Sequence, residues 1–425
     1  MIEDHPRRYA LSNELHARPF PVLSAPCQGV FLAVKRPEDA ANRDRDADRA
    51  HLLALLDRFG APHPAPGATH WFGQLGRHSL KWESHTEFVT YTLFSDGLPD
   101  RPFDPDAFNA FPAEWLSAAP GVRLTSALIR VEGEVPADGV AERLARWFVP
   151  ESLAASRVLD DSAVVASDFH IDPAGHVRFA VFVAPETGRR RIGRVVQRLC
   201  EIETYKTMAM LGLARARGLS AELGRMDTEL SDLVGTLREG RSEVEETLGG
   251  LLTIGSDLET MLARSSFRFG ATGAYEALVD QRIAILREER LGGRQTLAEF
   301  MMRRFAPAMR PCRSTARRME ALAERARRAG DLLSTRVNVD RAEQNAALLR
   351  SMDARAAAQL RLQHTVEGLS VVAISYYALG LVSAFLYPFG ARFGLSKETI
   401  AAIAVLPVLG LVWLALRRIR RGLGH

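Results

Sequence analysis

A chain of 425 residues is too long for one ordinary core, so two or three structural units are expected. A hydrophobic share of 47% with 25% charged residues excludes wholesale disorder, and three scattered cysteines, Cys27, Cys200 and Cys312, exclude a disulfide framework or zinc ribbon and read as small buried hydrophobes. The net charge of +4 hides an asymmetry, because residues 1–187 carry 18 Lys/Arg against 26 Asp/Glu, residues 188–389 carry 31 against 24, and residues 390–425 carry 6 against 1. Basic charge gathered at the far end fits a lipid bilayer as partner, and no nucleic acid is expected.

The first distinctive stretch is NELHARPFP, Asn13–Pro21. Pro19 and Pro21 fix the backbone there and favour a rigid edge, while Glu14, His16 and Arg18 leave a binding role open. The opening residues contain no apolar run of signal-peptide length, so the front of the chain is expected to be cytoplasmic.

Residues 29–187 alternate between strand and helix patterns. Gly29–Arg36 is strand-like, Asp46–Gly60 has apolar residues at helical spacing, and Thr86–Phe94 and Arg123–Gly133 are again strand-like. A helix around Gly139–Phe148 precedes two strands, Ser162–Ile171 and Gly175–Ala184, joined by a turn at Asp172–Gly175. This predicts an α+β (α/β-like) cytoplasmic domain over residues 1–187. No Walker or dinucleotide glycine loop occurs, and GQLGRHS at Gly73–Ser79 is too loose to count, so no cofactor is named.

Within this region HWFGQLGRHSLKWESHTEF gathers His70, His78, Glu83, His85 and Glu87. If Lys81–Phe88 is one extended strand, Glu83, His85 and Glu87 share a face, because strand side chains repeat every two residues. Such a ladder, joined by His16, has the donors for metal binding or acid–base chemistry. The plainer reading is an exposed face in which these groups meet water or pair with Arg18 and Arg77. No order of Ser/His/Asp or Cys/His is specific enough to name a nucleophile, so enzyme status stays open, with a non-enzymatic protein as the leading expectation.

From residue 188 to 367 the pattern is almost entirely helical. Ile192, Val195, Leu199, Ile202, Met208 and Leu211 mark a first helix expected to stop at Gly218. Further helices are expected over Ser220–Arg264, Ala274–Glu289 and Thr296–Phe305, then from about Pro311 or Ser334 onward. Ala342, Ala346, Leu349, Ala356 and Leu360 form a narrow seam suited to a coiled-coil-like stalk or a homo-oligomer, or to packing within a helical bundle. Nine arginines between Arg303 and Arg328 face only Glu320 and Glu324, as on a solvated or salt-bridged surface, with contact to anionic lipid as the next reading.

Gly368–Phe389 is 22 residues without a charge, roughly 33 Å as a helix, and Thr399–Leu416 is again uncharged apart from its flanks, with Pro407 inside. The short connector 390–398 predicts an antiparallel transmembrane hairpin. Arg417, Arg418, Arg420 and Arg421 follow the second span, and Arg355 and Arg361 precede the first, against Arg392 and Lys397 in the connector. Both ends are therefore expected on the cytoplasmic side of a bacterial inner membrane, with residues 417–425 as a basic tail.

Six ordered stretches carry a resemblance. NELHARPFP, KWESHTEFVTYT (Lys81–Thr92), RLCEIETYKTMAMLGL (Arg198–Leu213), FRFGATGAYEALVDQRIAILREER (Phe267–Arg290), QTLAEFMMRRFAPAMRPC (Gln295–Cys312) and LQHTVEGLSVVAISYYALGLV (Leu362–Val382) resemble the bacterial membrane-anchored DUF3422 family. The resemblance implies membrane anchoring and assigns no catalytic residues. The order of parts is also similar to that of CorA-type magnesium channels, although YPFGARFG at Tyr387–Gly394 stands where their Gly-Met-Asn filter would be. The leading expectation is a membrane-tethered ligand- or partner-binding protein. The alternatives are a homo-oligomeric divalent-cation channel and a membrane-associated enzyme or metal protein using the His/Glu cluster.

Overall fold

The structure is a computed structural model that describes residues 2–15, 20–239, 244–390 and 396–422. His16 and Arg18 lie outside the described residues, as do 391–395 of the connector. The chain divides into two compact units, Met1–Gly330 and Asp331–His425.

The first unit opens with helix α1 (Arg8–Leu15), strand β1 (Cys27–Lys35) and helix α2 (Arg45–Arg58). Strands β2 (His70–Leu75), β3 (His78–Ser84) and β4 (Phe88–Asp96) then form a meander, followed by α3 (Ala113–Ser117), β5 (Val122–Glu132) and α4 (Ala137–Trp147). β6 (Ala154–Val158), β7 (Ala163–Ser167) and β8 (Val177–Val183) lead into two long helices, α5 (Arg189–Glu239) and α6 (Val244–Leu286). A two-residue strand β9 (Glu289–Arg290), helix α7 (Leu297–Phe300) and a π-helical turn (Met301–Phe305) precede α8 (Ala306–Gly390), and α9 covers Lys397–Gly422.

The nine strands make one sheet in the order β2-β3-β4-β1-β5-β8-β7-β6-β9. Only the β5–β8 pair is parallel; its crossover contains α4 and the hairpin of β6 and β7. Strand alternation sorts the apolar side chains onto two faces. Val30, Leu32 and Val34 of β1 pack with α2, α3 and α4 through Leu52, Leu55, Trp115 and Leu144. Cys27, Phe31 and Ala33 face the other way, onto α5 and α6 through Val195, Leu199, Ile202 and Ile283. The sheet is thus a middle layer between helices, and residues 188–330 belong to the same compact unit as the strands. All three cysteines are free and buried, as read from their spacing.

Three sequence expectations are corrected. Gly218 does not end α5, which runs on to Glu239, because Ala216, Leu219 and Leu223 are buried on either side and tertiary packing outweighs the roughly 1 kcal/mol a glycine costs inside a helix. The helix expected over Ser220–Arg264 is therefore divided between α5 and α6. Lys81–Phe88 is not one strand, since β3 ends at Ser84 and β4 begins at Phe88. The intervening bend is closed by the His85 amide donating to the Phe88 carbonyl at 2.9 Å.

α5 and α6 pack antiparallel, with Glu201 against Arg282, Gly212 against Thr272 and Arg215 against Ser265. The arginine-rich stretch of α8 is partly neutralised from this pair. Arg313 reaches Glu276 at 2.7 Å, and Arg318 and Arg325 both reach Asp227 at 2.9 Å. Hydrogen bonding from Arg318, joined by Arg325, holds the Asp227 carboxyl below the usual range.

The last residue of the first motif, Pro21, and the segment that follows it lie directly on α5. Leu23 N–H donates to the Arg189 carbonyl at 3.2 Å, and a Cβ at Gly193 would stand 1.7 Å from the Pro21 carbonyl oxygen. Gly193→Ala should accordingly lower the stability of the first unit by about 1–3 kcal/mol in urea unfolding. Gly218→Ala, where a Cβ meets nothing within 4 Å, should be neutral or stabilising by up to about 1 kcal/mol.

In the second unit, α8 from Ser334 to Val366 is almost wholly exposed, including Leu348, Leu349, Met352 and Leu360. Two described helices, Leu297–Gly390 and Lys397–Ala415, are long and apolar enough to cross a membrane. Their most apolar 18-residue windows are only 11% and 17% buried, unlike the core helices of a soluble domain. The end of α8 and α9 share an apolar cavity of about 460 Å³, lined by Leu386, Phe389, Ile403 and Pro407 among others.

Candidate functional site

Several of the charged residues buried in the first unit converge where β3 and β4 meet α5 and α6. On β3, Leu80 and Trp82 enter the core on the α2 side, which sends Lys81 and Glu83 to the α5 side. Lys81 Nζ stands 3.1 Å from Glu83 Oε1 and donates to Gln197 Oε1 on α5 at 2.6 Å. Gln197 in turn donates to Glu201 Oε1 at 2.8 Å, and Glu201 is held by Arg282 of α6. A second link starts from Thr125 of β5, whose hydroxyl donates to Glu203 Oε1 at 3.0 Å, with Lys206 on Oε2 at 2.7 Å.

Glu87 forms the third link. Arg268 Nη2 donates to both its oxygens, at 2.7 and 2.6 Å, and the Tyr275 hydroxyl donates to Oε1 at 3.1 Å. Burial, reinforced by Glu87, pushes the Tyr275 phenol above its ordinary value. Burial lowers the nearby Lys35 amine, with Glu87 opposing the shift.

Between these groups lies a cavity of about 20 Å³, lined by Pro21, Lys81, Glu83, His85, Cys200 and Thr204 among others. That is room for roughly one water. Burial pushes the Cys200 thiol well above its ordinary value, and Cys27 up to about 12, so neither supplies a thiolate nucleophile near neutral pH. The seam is a mutually satisfied ionic layer that fixes α5 and α6 on the sheet.

The structure separates most of the residues picked from sequence. Glu83 and His85 border the same cavity, and His85 stacks on Phe88 at 4.4 Å. Glu87 is turned to Arg268 and Tyr275. His78 shares the face of Leu80 and Trp82, with Nδ1 2.6 Å from Ser95 Oγ and Nε2 accepting from Arg77. Glu14 belongs to α1, and its side chain, like His16 and Arg18, lies outside the described residues. No group of three or more His, Cys, Asp or Glu residues arranged to hold a metal ion occurs among the described residues. Sequence reading passed over Lys81, Gln197, Glu201, Glu203, Arg268 and Tyr275. Their signal was the interruption of an apolar stripe, since Glu203 is buried beside Ile202 on a helix face that otherwise meets the core.

The opposite face carries a neutral histidine. His51 Nδ1 lies 2.9 Å from the Tyr91 hydroxyl and Nε2 lies 2.8 Å from the Trp115 carbonyl, which places the ring proton on Nε2. Burial holds His51, His78 and His176 below the ordinary value of 6.5. The unfolded chain therefore takes up their protons at higher pH than the folded one. Stability should be level above about pH 7 and fall as pH drops below about 6.5, by at most about 1.4 kcal/mol per pH unit for each histidine. Urea midpoints at pH 7.5, 6.5 and 5.5 check this, and a His51→Gln background should show a shallower decline.

A family model described as "Protein of unknown function (DUF3422)" matches residues 3–423 of the chain. No curated protein and no solved structure matches it.

Proposed function

The chain belongs to the DUF3422 family, and from that premise we propose that it is a non-enzymatic protein of the bacterial inner membrane, in which a cytoplasmic ligand- or partner-binding unit is tethered by a C-terminal hairpin. The observation that carries the reading is the exposure of the two apolar helices. Leu369, Val372, Leu381, Phe385, Leu406 and Leu411 are each about two-thirds or more exposed, a surface that water does not solvate favourably and lipid does. Arginines at 417, 418, 420 and 421, and at 355 and 361, support a cytoplasmic placement of both flanks. The exposed leucines and alanines of α8 before the first span support pairing with a second copy of the chain.

Fractionation tests the tether. The full chain should sediment with membranes and resist alkaline carbonate extraction. Leu381→Arg combined with Phe385→Arg, each costing about 2.5–3.5 kcal/mol near a helix centre in lipid, should shift it towards the extractable fraction. A wild-type chain dispersed in buffer without detergent would end the reading, and a periplasmically active reporter fused after His425 would end the orientation.

A further inference from the structure

Helix α5 begins with the wrong charge for its dipole. Its first turn holds Arg189, Arg190 and Arg191 and no acid, at the end where carboxylates are the stabilising residues. One turn further, Arg194 and Arg198 stand four residues apart, a spacing that makes them surface neighbours and, as like charges, mutually repulsive. Arg282 of α6 reaches the same face to hold Glu201, and Arg287 just beyond α6 holds Asp160 at 2.6 Å. Arg191 donates Nη1 to Ser162 Oγ at 2.8 Å.

Glu201 and Asp160 are the carboxylates that pair within this group among the described residues, against the guanidiniums of Arg191, Arg194, Arg198, Arg282 and Arg287. Gln197 lies on Glu201, and Asp161 beside Asp160 is turned to Arg157 at 3.6 Å. Arg194 Nε is enclosed by protein and has no hydrogen-bond acceptor. Burial and the repulsion of Arg194, Arg282 and Arg287 push Arg198 below its ordinary range, with only Glu201 opposing.

Each of these features works against the fold. An enclosed donor without an acceptor costs about 1–3 kcal/mol, and arginines on a positive helix terminus add a further penalty. A multiply charged oxyanion bound beside them offsets the excess guanidiniums and matches their planar donor geometry. We propose that the arginines at the start of α5, with Arg282 and Arg287 of the neighbouring segment, bind a phosphate-bearing anion. The proposal deepens the ligand-binding half of the function above and is independent of the hairpin.

Calorimetry on the full chain in uncharged detergent at low salt tests it, with two probes that separate the sources of phosphate. Pyrophosphate stands for a free phosphate compound, and dihexanoylphosphatidylglycerol, kept below its micelle concentration, stands for a lipid headgroup. At least one should bind. Its affinity should fall about tenfold or more in Arg194→Ala and in Arg198→Gln, as loss of a charge-assisted hydrogen bond implies, and should be unchanged in Arg303→Ala/Arg304→Ala, an exposed pair elsewhere. Without ligand, the Tm of Arg198→Gln should hold or rise, because a repulsive charge has gone. Binding of neither probe, equal loss in the Arg303/Arg304 control, or a lower Tm in Arg198→Gln would each overturn the proposal. Membrane fractionation reads the tether separately, so either conclusion can fail alone.

Discussion

Urea unfolding of Arg43→Ala should show the first unit destabilised by about 3–5 kcal/mol. The Arg43 side chain is 2% exposed and its ion-pair partner Asp48 5%, with Nε 2.6 Å from Oδ2. Its remaining donors organise the bend between β3 and β4. Nη2 reaches the His85 carbonyl at 2.6 Å, Ser84 Oγ at 3.0 Å and the Phe88 carbonyl at 3.3 Å, and Nη1 reaches the Thr86 carbonyl. Truncation strands the Asp48 carboxylate in the interior and takes the guanidinium donors away from the His85 and Thr86 carbonyls. Lysine should rescue little, because one ammonium cannot reproduce a planar fork spread over these acceptors. Arg43→Met combined with Asp48→Leu should recover much of the loss, since an apolar pair leaves no buried charge uncompensated.

Glu87→Ala should cost a similar amount, about 3–5 kcal/mol, by a different route. Its partner Arg268 sits on α6, so the pair fastens α6 to the bend that leads into β4. Alanine at 87 leaves the Arg268 guanidinium desolvated, removes the acceptor of Tyr275, and takes away the negative charge that favours a protonated Lys35. A double-mutant cycle with Arg268→Ala should return a coupling energy of about 1–3 kcal/mol, and Tyr275→Phe alone should cost about 1 kcal/mol. A coupling near zero would place the stabilisation in packing rather than in the ion pair.

Periodicity made the sheet legible wherever one face was apolar. β1, β4, β5 and β8 follow from Val/Ile/Phe alternation, and α2 and α4 from apolar residues at helical steps. β2 and β6 are short and of mixed composition, so they left little trace. The seam was half legible. KWESHTE was recognised for its acids and imidazoles, yet the face each one takes depends on where β3 stops, and that is set by Arg43, forty residues earlier. Lys81 and Gln197 are 116 positions apart, and nothing local in either segment announces the other. The extent of α5 was illegible for the same reason: the helix survives Gly218 because α6 returns alongside it.

The strand β9, only Glu289 and Arg290, has an effect out of proportion to its length. It lies along β6, with Arg290 opposite Ser156 and Glu289 opposite Arg157, while the Gln295 carbonyl takes the Ala155 amide. Without it, a border rich in alanine and valine would offer unpaired amides and carbonyls to any passing polypeptide, the usual template for lateral aggregation. A charged pair too short to recruit a further strand closes that border, which lets a broad mixed sheet remain single at the concentrations a crowded cell imposes.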